Sequence, residues 1–235
     1  MKFIKRTNIF FFKPKVFCIG MNKTGTTTML KTFKKLNFRT APQIKQEKAI
    51  GDINLHNEHM QIKKFCWKYN FFQDFPFSQG DFYKKIDQIF PKSKYILTVR
   101  DSNKWFKSLC NFHLIYFRKM GFNFKNITEV KKEHVKKFNW IKEGYYYDYT
   151  KKFWISEIKD NQLIYNWNLL YNRDHYIYLY EKRNKEIKEY FQKKKEDLLV
   201  FNVSEDTDIL KILNFLNMKK KLNFNLPHEL KSNYD

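Results

Sequence analysis

Three short apolar runs stand out against an otherwise polar, lysine-rich chain: Val16–Ile19, Tyr95–Val99 and Leu198–Val203. Each is continuous rather than alternating. That is the pattern of a strand covered on both faces, as in a parallel sheet. Between the runs the apolar positions recur at helical spacing. Met29, Phe33 and Leu36 share one face of a helix predicted over Thr26–Leu36, with Lys31, Lys34 and Lys35 elsewhere. From Ser102, Trp105, Leu109, Phe112 and Tyr116 form a second stripe. Residues 162–195 read as one long helix through Leu169, Tyr176, Tyr180, Ile187 and Phe191. A terminal helix is expected from Asp206 to Asn217, with Ile209, Leu213 and Leu216 inward and Ser204 or Asp206 as cap. Asp81–Phe90 is a shorter helix, residues 40–70 are irregular to helical, and 121–161 suggests helices with a flexible crossover. Strands alternating with helices predict an α/β fold of three layers, a central parallel sheet flanked by helices.

The junction after the first strand carries chemistry. Gly20 breaks the apolar run, a small polar loop follows, and a helix starts at Thr26. The first amides of a helix lack intrahelical partners, and the helix dipole adds positive character, so this turn suits a phosphate-bearing ligand. Gly20 and Gly25 have the spacing of the nucleotide-triphosphatase loop G-x-x-x-x-G-K-[ST], but Thr26 takes the lysine position and the lysine has moved to Lys23. Gly20-x-x-Lys23-Thr24-Gly25-Thr26-Thr27 resembles the 5′-phosphosulfate-binding loop of sulfotransferases that use 3′-phosphoadenosine 5′-phosphosulfate (PAPS).

A second motif agrees. Arg100 closes the strand Tyr95–Val99, and Ser108 lies eight residues on, in the following helix. The carboxyl end of a strand is where ligands collect in open α/β sheets. A planar guanidinium forks onto phosphate oxygens and a hydroxyl adds one more bond. In the sulfotransferase family an Arg and a Ser at this spacing bind the cofactor's 3′-phosphate. The resemblance is specific over residues 15–120 and continues to 217 by the order of strands and helices. It implies a P-loop-like fold in which Asn22, Lys23, Thr24, Gly25, Thr26, Thr27 and Thr28 hold the 5′-phosphosulfate. Arg100 and Ser108 then hold the 3′-phosphate. The product is PAP (3′-phosphoadenosine 5′-phosphate), and no metal is implied.

The base is less plainly written. Phe71-Phe-Gln-Asp74-Phe-Pro-Phe77 sets one carboxylate among apolar neighbours, where desolvation would raise its pKa. Many sulfotransferases place a His near this slot, and in others a carboxylate serves. Asp74 therefore stands with Lys23 as catalytic, His56 and His59 as fallback bases, and a turn or helix cap as its ordinary role. The acceptor is a hydroxyl or amine of a small molecule or glycan. A catalytically inactive PAP- or polyanion-binding protein on the same fold, and a P-loop nucleotide kinase, remain as alternative readings.

Composition narrows the partners. The net charge is +22, but six arginines stand against forty lysines and the lysines are dispersed. Lys, Asn, Phe, Ile and Tyr share A/T-rich codons, so specific nucleic-acid binding is not expected. Cys18, Cys66 and Cys110 cannot all pair, and no Cys/His cluster suggests a metal. The apolar run at 9–12 is too short for a signal peptide or anchor, so a cytoplasmic protein is expected. Its domain plan is an N-terminal extension (1–14) and one domain (15–220) with a helical acceptor-site insertion at 111–165. A tail, 221–235, completes it.

Overall fold

The computed structural model describes residues 13–52, 59–206 and 208–218. The strands are β1 Val16–Cys18, β2 Phe71–Gln73, β3 Lys94–Val99, β4 Ser156–Lys159, β5 Gln162–Tyr165 and β6 Leu198–Asn202. The α-helices are α1 Thr26–Lys35, α2 Gln43–Ile50, α3 His59–Cys66, α4 Phe82–Ile89, α5 Ser102–Lys119, α6 Lys132–Lys137, α7 Tyr145–Phe153, α8 Arg173–Tyr190 and α9 Leu210–Phe215. The chain forms two compact units, one from residues up to Arg100 and from Asn184 onward, the other Asp101–Arg183.

The first unit is a three-layer α/β structure. Its sheet runs β2-β1-β3-β6, every pair parallel, with Phe17 opposite both Phe72 and Tyr95. Successive side chains of a strand point to opposite faces, and the sequence uses both. Phe17, Ile19, Phe72, Tyr95 and Leu97 face one side and pack with Ile50 of α2, Ile62 and Phe65 of α3, Phe82 and Ile86 of α4, and Ile187 and Phe191. Val16, Cys18, Phe71, Ile96, Leu199 and Phe201 face the other, against Met29 and Phe33 of α1 and Ile212 and Leu213 of α9. Rings supply much of this packing: Phe17 stacks on Phe72 at 4.6 Å, and Phe33 on Phe71 at 4.0 Å. Cys18 is buried as expected, its thiol pushed up to about 12 by desolvation.

The second unit has its own aromatic core. Trp105 stacks on Tyr180 at 4.3 Å, and Trp154 on Tyr176 at 4.5 Å. The sequence reading needs three corrections, two of them here and one at the end of the chain. The buried stripe of α5 is Trp105, Leu109, His113 and Phe117, while Phe112 is half-buried and Tyr116 is exposed. The helix read over 162–195 is confined to 173–190. Residues 156–165 instead form an antiparallel hairpin, β4–β5, closed by Asp160 and Asn161. Both turn residues have positive φ, 51° and 59°, the geometry of a tight two-residue hairpin turn in which Asn and Asp are favoured. The aromatic segment before it is therefore helical only in parts. At the end of the chain, α9 is shorter than expected. The Asp206 carboxylate turns back to accept from the Asn202 amide at 2.8 Å, and Asp208 accepts from Leu210 N instead.

β2 is the strand that the apolar pattern hid. At three residues, and preceding a loop of the same composition, Phe71–Gln73 has no internal contrast to mark its ends.

Candidate active site

The order β2-β1-β3 means that the chain leaves β1 for one side of the sheet and returns across it to the other. A crevice opens at the carboxyl ends where such a reversal occurs, and ligands of open α/β sheets bind there. Three segments meet at these ends: the loop after β1 with Lys23, the loop after β2 with Asp74, and Arg100 after β3.

The loop after β1 is tightly constrained. A Cβ on Gly20 would lie 2.1 Å from Thr98 Oγ1 and 2.4 Å from the Thr98 carbonyl, so only glycine lets this backbone pass β3. Thr24 is wholly buried. Its hydroxyl donates to the Met21 carbonyl at 2.5 Å and meets Thr98 Oγ1 at 2.7 Å, and its amide donates to Met21 O. The Thr24 side chain thus ties the loop to the sheet. Gly25 then turns the chain at φ 100°, and α1 begins with no side-chain cap. Its first bond is Met29 N to the Gly25 carbonyl, which leaves the amides of Thr26, Thr27 and Thr28 as the donors a helix cannot satisfy internally. Thr28 is buried and Thr27 is exposed on the helix surface.

Around this helix start the charges converge. Lys23 sits in the left-handed region at φ 68°, half-buried. Burial lowers its pKa, Asp74 opposes that, and Arg100 adds to it. The Arg100 guanidinium reaches toward the Lys23 carbonyl, at 3.5 Å, the long limit of a hydrogen bond. Asp74 is also left-handed, at φ 59°. Its Oδ1 accepts from the Phe75 amide at 2.9 Å, and its Oδ2 from the Thr26 hydroxyl at 3.3 Å. Surrounding protein desolvates the carboxyl and raises its pKa to about 6. The Glu47 charge adds to the rise, while the two hydrogen bonds and Lys23 restrain it. At neutral pH Asp74 is therefore mostly ionised and still a better base than an ordinary carboxylate.

The remaining sequence-derived residues fall as follows. Asn22 is half-buried in the same loop. Ser108 lies two turns into α5, which belongs to the second unit. Asp101 caps that helix, accepting from Lys104 N at 2.8 Å. His59 is exposed at the start of α3, and His56 lies outside the described residues. Sequence reasoning missed Gln43, Gln46 and Glu47 on α2. A Gln-x-x-Gln-Glu string is ordinary on a helix, and only the sheet order shows that it borders Asp74. Among the described residues, no group of three or more His, Cys, Asp and Glu side chains is placed to hold a metal ion. No described helix is long and apolar enough to cross a membrane.

A glycine-bounded turn at a sheet reversal, with its lysine ahead of the second glycine, is the arrangement the loop motif led one to expect. Comparison with known families agrees: the sequence model of the sulfotransferase domain matches residues 15–232, nearly the whole chain. The chain belongs to this family. Among curated proteins none matches it.

Proposed function

We propose that the protein moves a sulfuryl group from PAPS to a hydroxyl or amine of a small-molecule or glycan acceptor. The observation that carries this reading is the meeting of Lys23, Asp74 and Arg100 at the carboxyl ends of β1, β2 and β3, beside an uncapped helix start. The residues present fit a phosphosulfate. The orphan amides of α1 are donors, and Lys23 and Arg100 bring positive charge beside them. When bound, PAPS supplies an electrophilic sulfur and a phosphate leaving group.

Lys23 would neutralise charge gathering on the leaving oxygen. The amides of Thr26, Thr27 and Thr28 would hold the oxygens of the same group. Arg100 would anchor the 3′-phosphate, with Ser108 assigned to that phosphate by the family pattern alone. Asp74, ionised and desolvated, would accept the proton of the attacking hydroxyl or amine. Thr26 donates to Asp74, so its hydroxyl links the base to the helix start. Positioning and preorganised charge then supply most of the acceleration, as in phosphoryl transfer.

Isothermal titration with PAP, against ATP and adenosine 5′-phosphosulfate, tests the reading. PAP-selective binding that is lost in Arg100→Ala supports it. Equal binding of all three would overturn it. PAP-selective binding with no transfer to any acceptor in a panel would leave a PAP-binding protein rather than an enzyme.

A further inference from the structure

Asp74 occupies a backbone conformation that costs energy for any residue with a side chain, and something must hold it there. The helix beside it does so through one side chain. Gln46 of α2 is completely buried, and its Nε2 donates to the Gln73 carbonyl at 2.7 Å and to the Phe75 carbonyl at 2.6 Å. These are the residues immediately before and after Asp74. The two hydrogens of one amide thus clamp both flanks of the left-handed residue. Gln43 backs the clamp, donating to the Phe75 carbonyl at 3.2 Å and to Glu47 at 2.8 Å, and accepting from Gln73 Nε2 at 2.9 Å. Gln46 Oε1 is buried with no hydrogen-bond partner. An orphaned buried acceptor is a cost, so the residue is retained here for its donors.

We propose that Gln46 is the positioning residue of this site, holding Asp74 in its left-handed turn by bonding the carbonyls on either side of it. A residue released from that turn would swing its carboxyl toward solvent and lose the Phe75 amide bond. The groups that face Asp74 are Glu47 from α2, Lys23 from the loop after β1 and Thr26 from α1, and its charge is felt by Cys18 of β1. Gln46 carries no charge, so its effect on Asp74 must act through position. Glu47 acts through charge.

The inference rests on the reading of Asp74 as the base, but its test needs no turnover. Carboxyl ¹³C resonances of the full-length protein are titrated, with that of Asp74 identified by its loss in Asp74→Asn. Gln46→Met keeps the volume and removes both donors. Its Asp74 midpoint is expected to fall from about 6 by roughly one unit, a tenfold change in proton affinity. The Asp74 ¹³Cα shift should move with it, since that shift reports the backbone conformation. Glu47→Gln should lower the midpoint and leave the ¹³Cα shift in place. Should Gln46→Met fail to fold, Gln46→Asn, one methylene shorter and unable to reach both carbonyls, gives the same readout. An unmoved midpoint, or one that moves with no change in ¹³Cα shift, would overturn the proposal. Full transfer activity in Asp74→Asn would instead sink the reading of the base.

Discussion

Lys23 and Asp74 both hold positive φ, and for lysine that conformation costs roughly 1–2 kcal/mol. A lysine kept at such a position trades stability for placement, which gives a direct prediction. Lys23→Gly removes the strain, so its melting temperature should equal or exceed that of the unmodified protein despite the larger entropy of the unfolded chain. Its transfer rate should nonetheless fall about 10²–10³-fold if Lys23 acts as one preorganised donor. A variant that is both less stable and fully active would contradict this. Asp74 gives the pH counterpart. Its folded pKa of about 6 lies above the ordinary 3.8, so the fold disfavours its ionised form. The sign follows: as pH rises from about 4 to 6, the unfolded chain has already released this proton and the folded one has not, and stability falls. Asp74→Asn removes that dependence. Melting curves from pH 4 to 8 should show the variant gaining on the unmodified protein up to about pH 6, with a constant difference above. Transfer activity should run the opposite way in the unmodified protein, lost as pH drops through about 6.

At the scale of elements, the loop after β1 was legible because its parts are local. A strand, a glycine-bounded turn and a helix start fall within twenty residues, and Thr26–Lys35 formed as its periodicity indicated. Arg100 was legible for the same reason, as the first residue after a clear strand. The hairpin over 156–165 was not. Ile158 and Leu163 are exposed, so no buried face marks it, and the apolar spacing from Leu169 onward was extended back over its second strand. Asp160-Asn161 was the better signal. Gln46 could not be read at all, since its meaning depends on β2 lying next to β1. Gly25 shows how much of the junction rests on one residue. A Cβ there would lie 2.4 Å from Val203 Cγ2, and the φ of 100° is costly for any other residue. Gly25→Ala should therefore destabilise the protein by about 2 kcal/mol or more, a strain cost of roughly 1–2 kcal/mol with an overlap added. Denaturant unfolding with an unchanged midpoint would refute it.

For the whole molecule, the charge of +22 and the site make separable contributions to binding. Dispersed lysines draw any polyanion and do not tell one from another. On the proposed function, selectivity would belong to Arg100 and the loop. Raising salt from about 0.1 M to about 1 M shortens the screening length from about 10 Å to about 3 Å. Affinity for PAP and for ATP should both decline over that range while their ratio persists. A ratio that collapses toward unity would assign recognition to bulk charge. The three-layer plan was legible in the sequence because β1, β3 and β6 are continuous apolar runs. The division into two units was not, for no change of composition marks Arg100–Asp101 or Arg183–Asn184.

The missing cap of α1 would, on the proposed function, couple binding to folding. A Ser, Thr, Asp or Asn at the N-cap can supply the acceptor that closes a helix's first turn. This one begins at a left-handed glycine and leaves that role open. A bound anion would then be the absent part of the helix, and the ligand would complete secondary structure as well as occupy a crevice. The amides of Thr26, Thr27 and Thr28 should exchange with solvent quickly in the free protein and slowly with PAP bound, while those of Leu30 to Phe33 change little. The open donors of α1's first turn would thus be satisfied at each binding event, and left open again at each release.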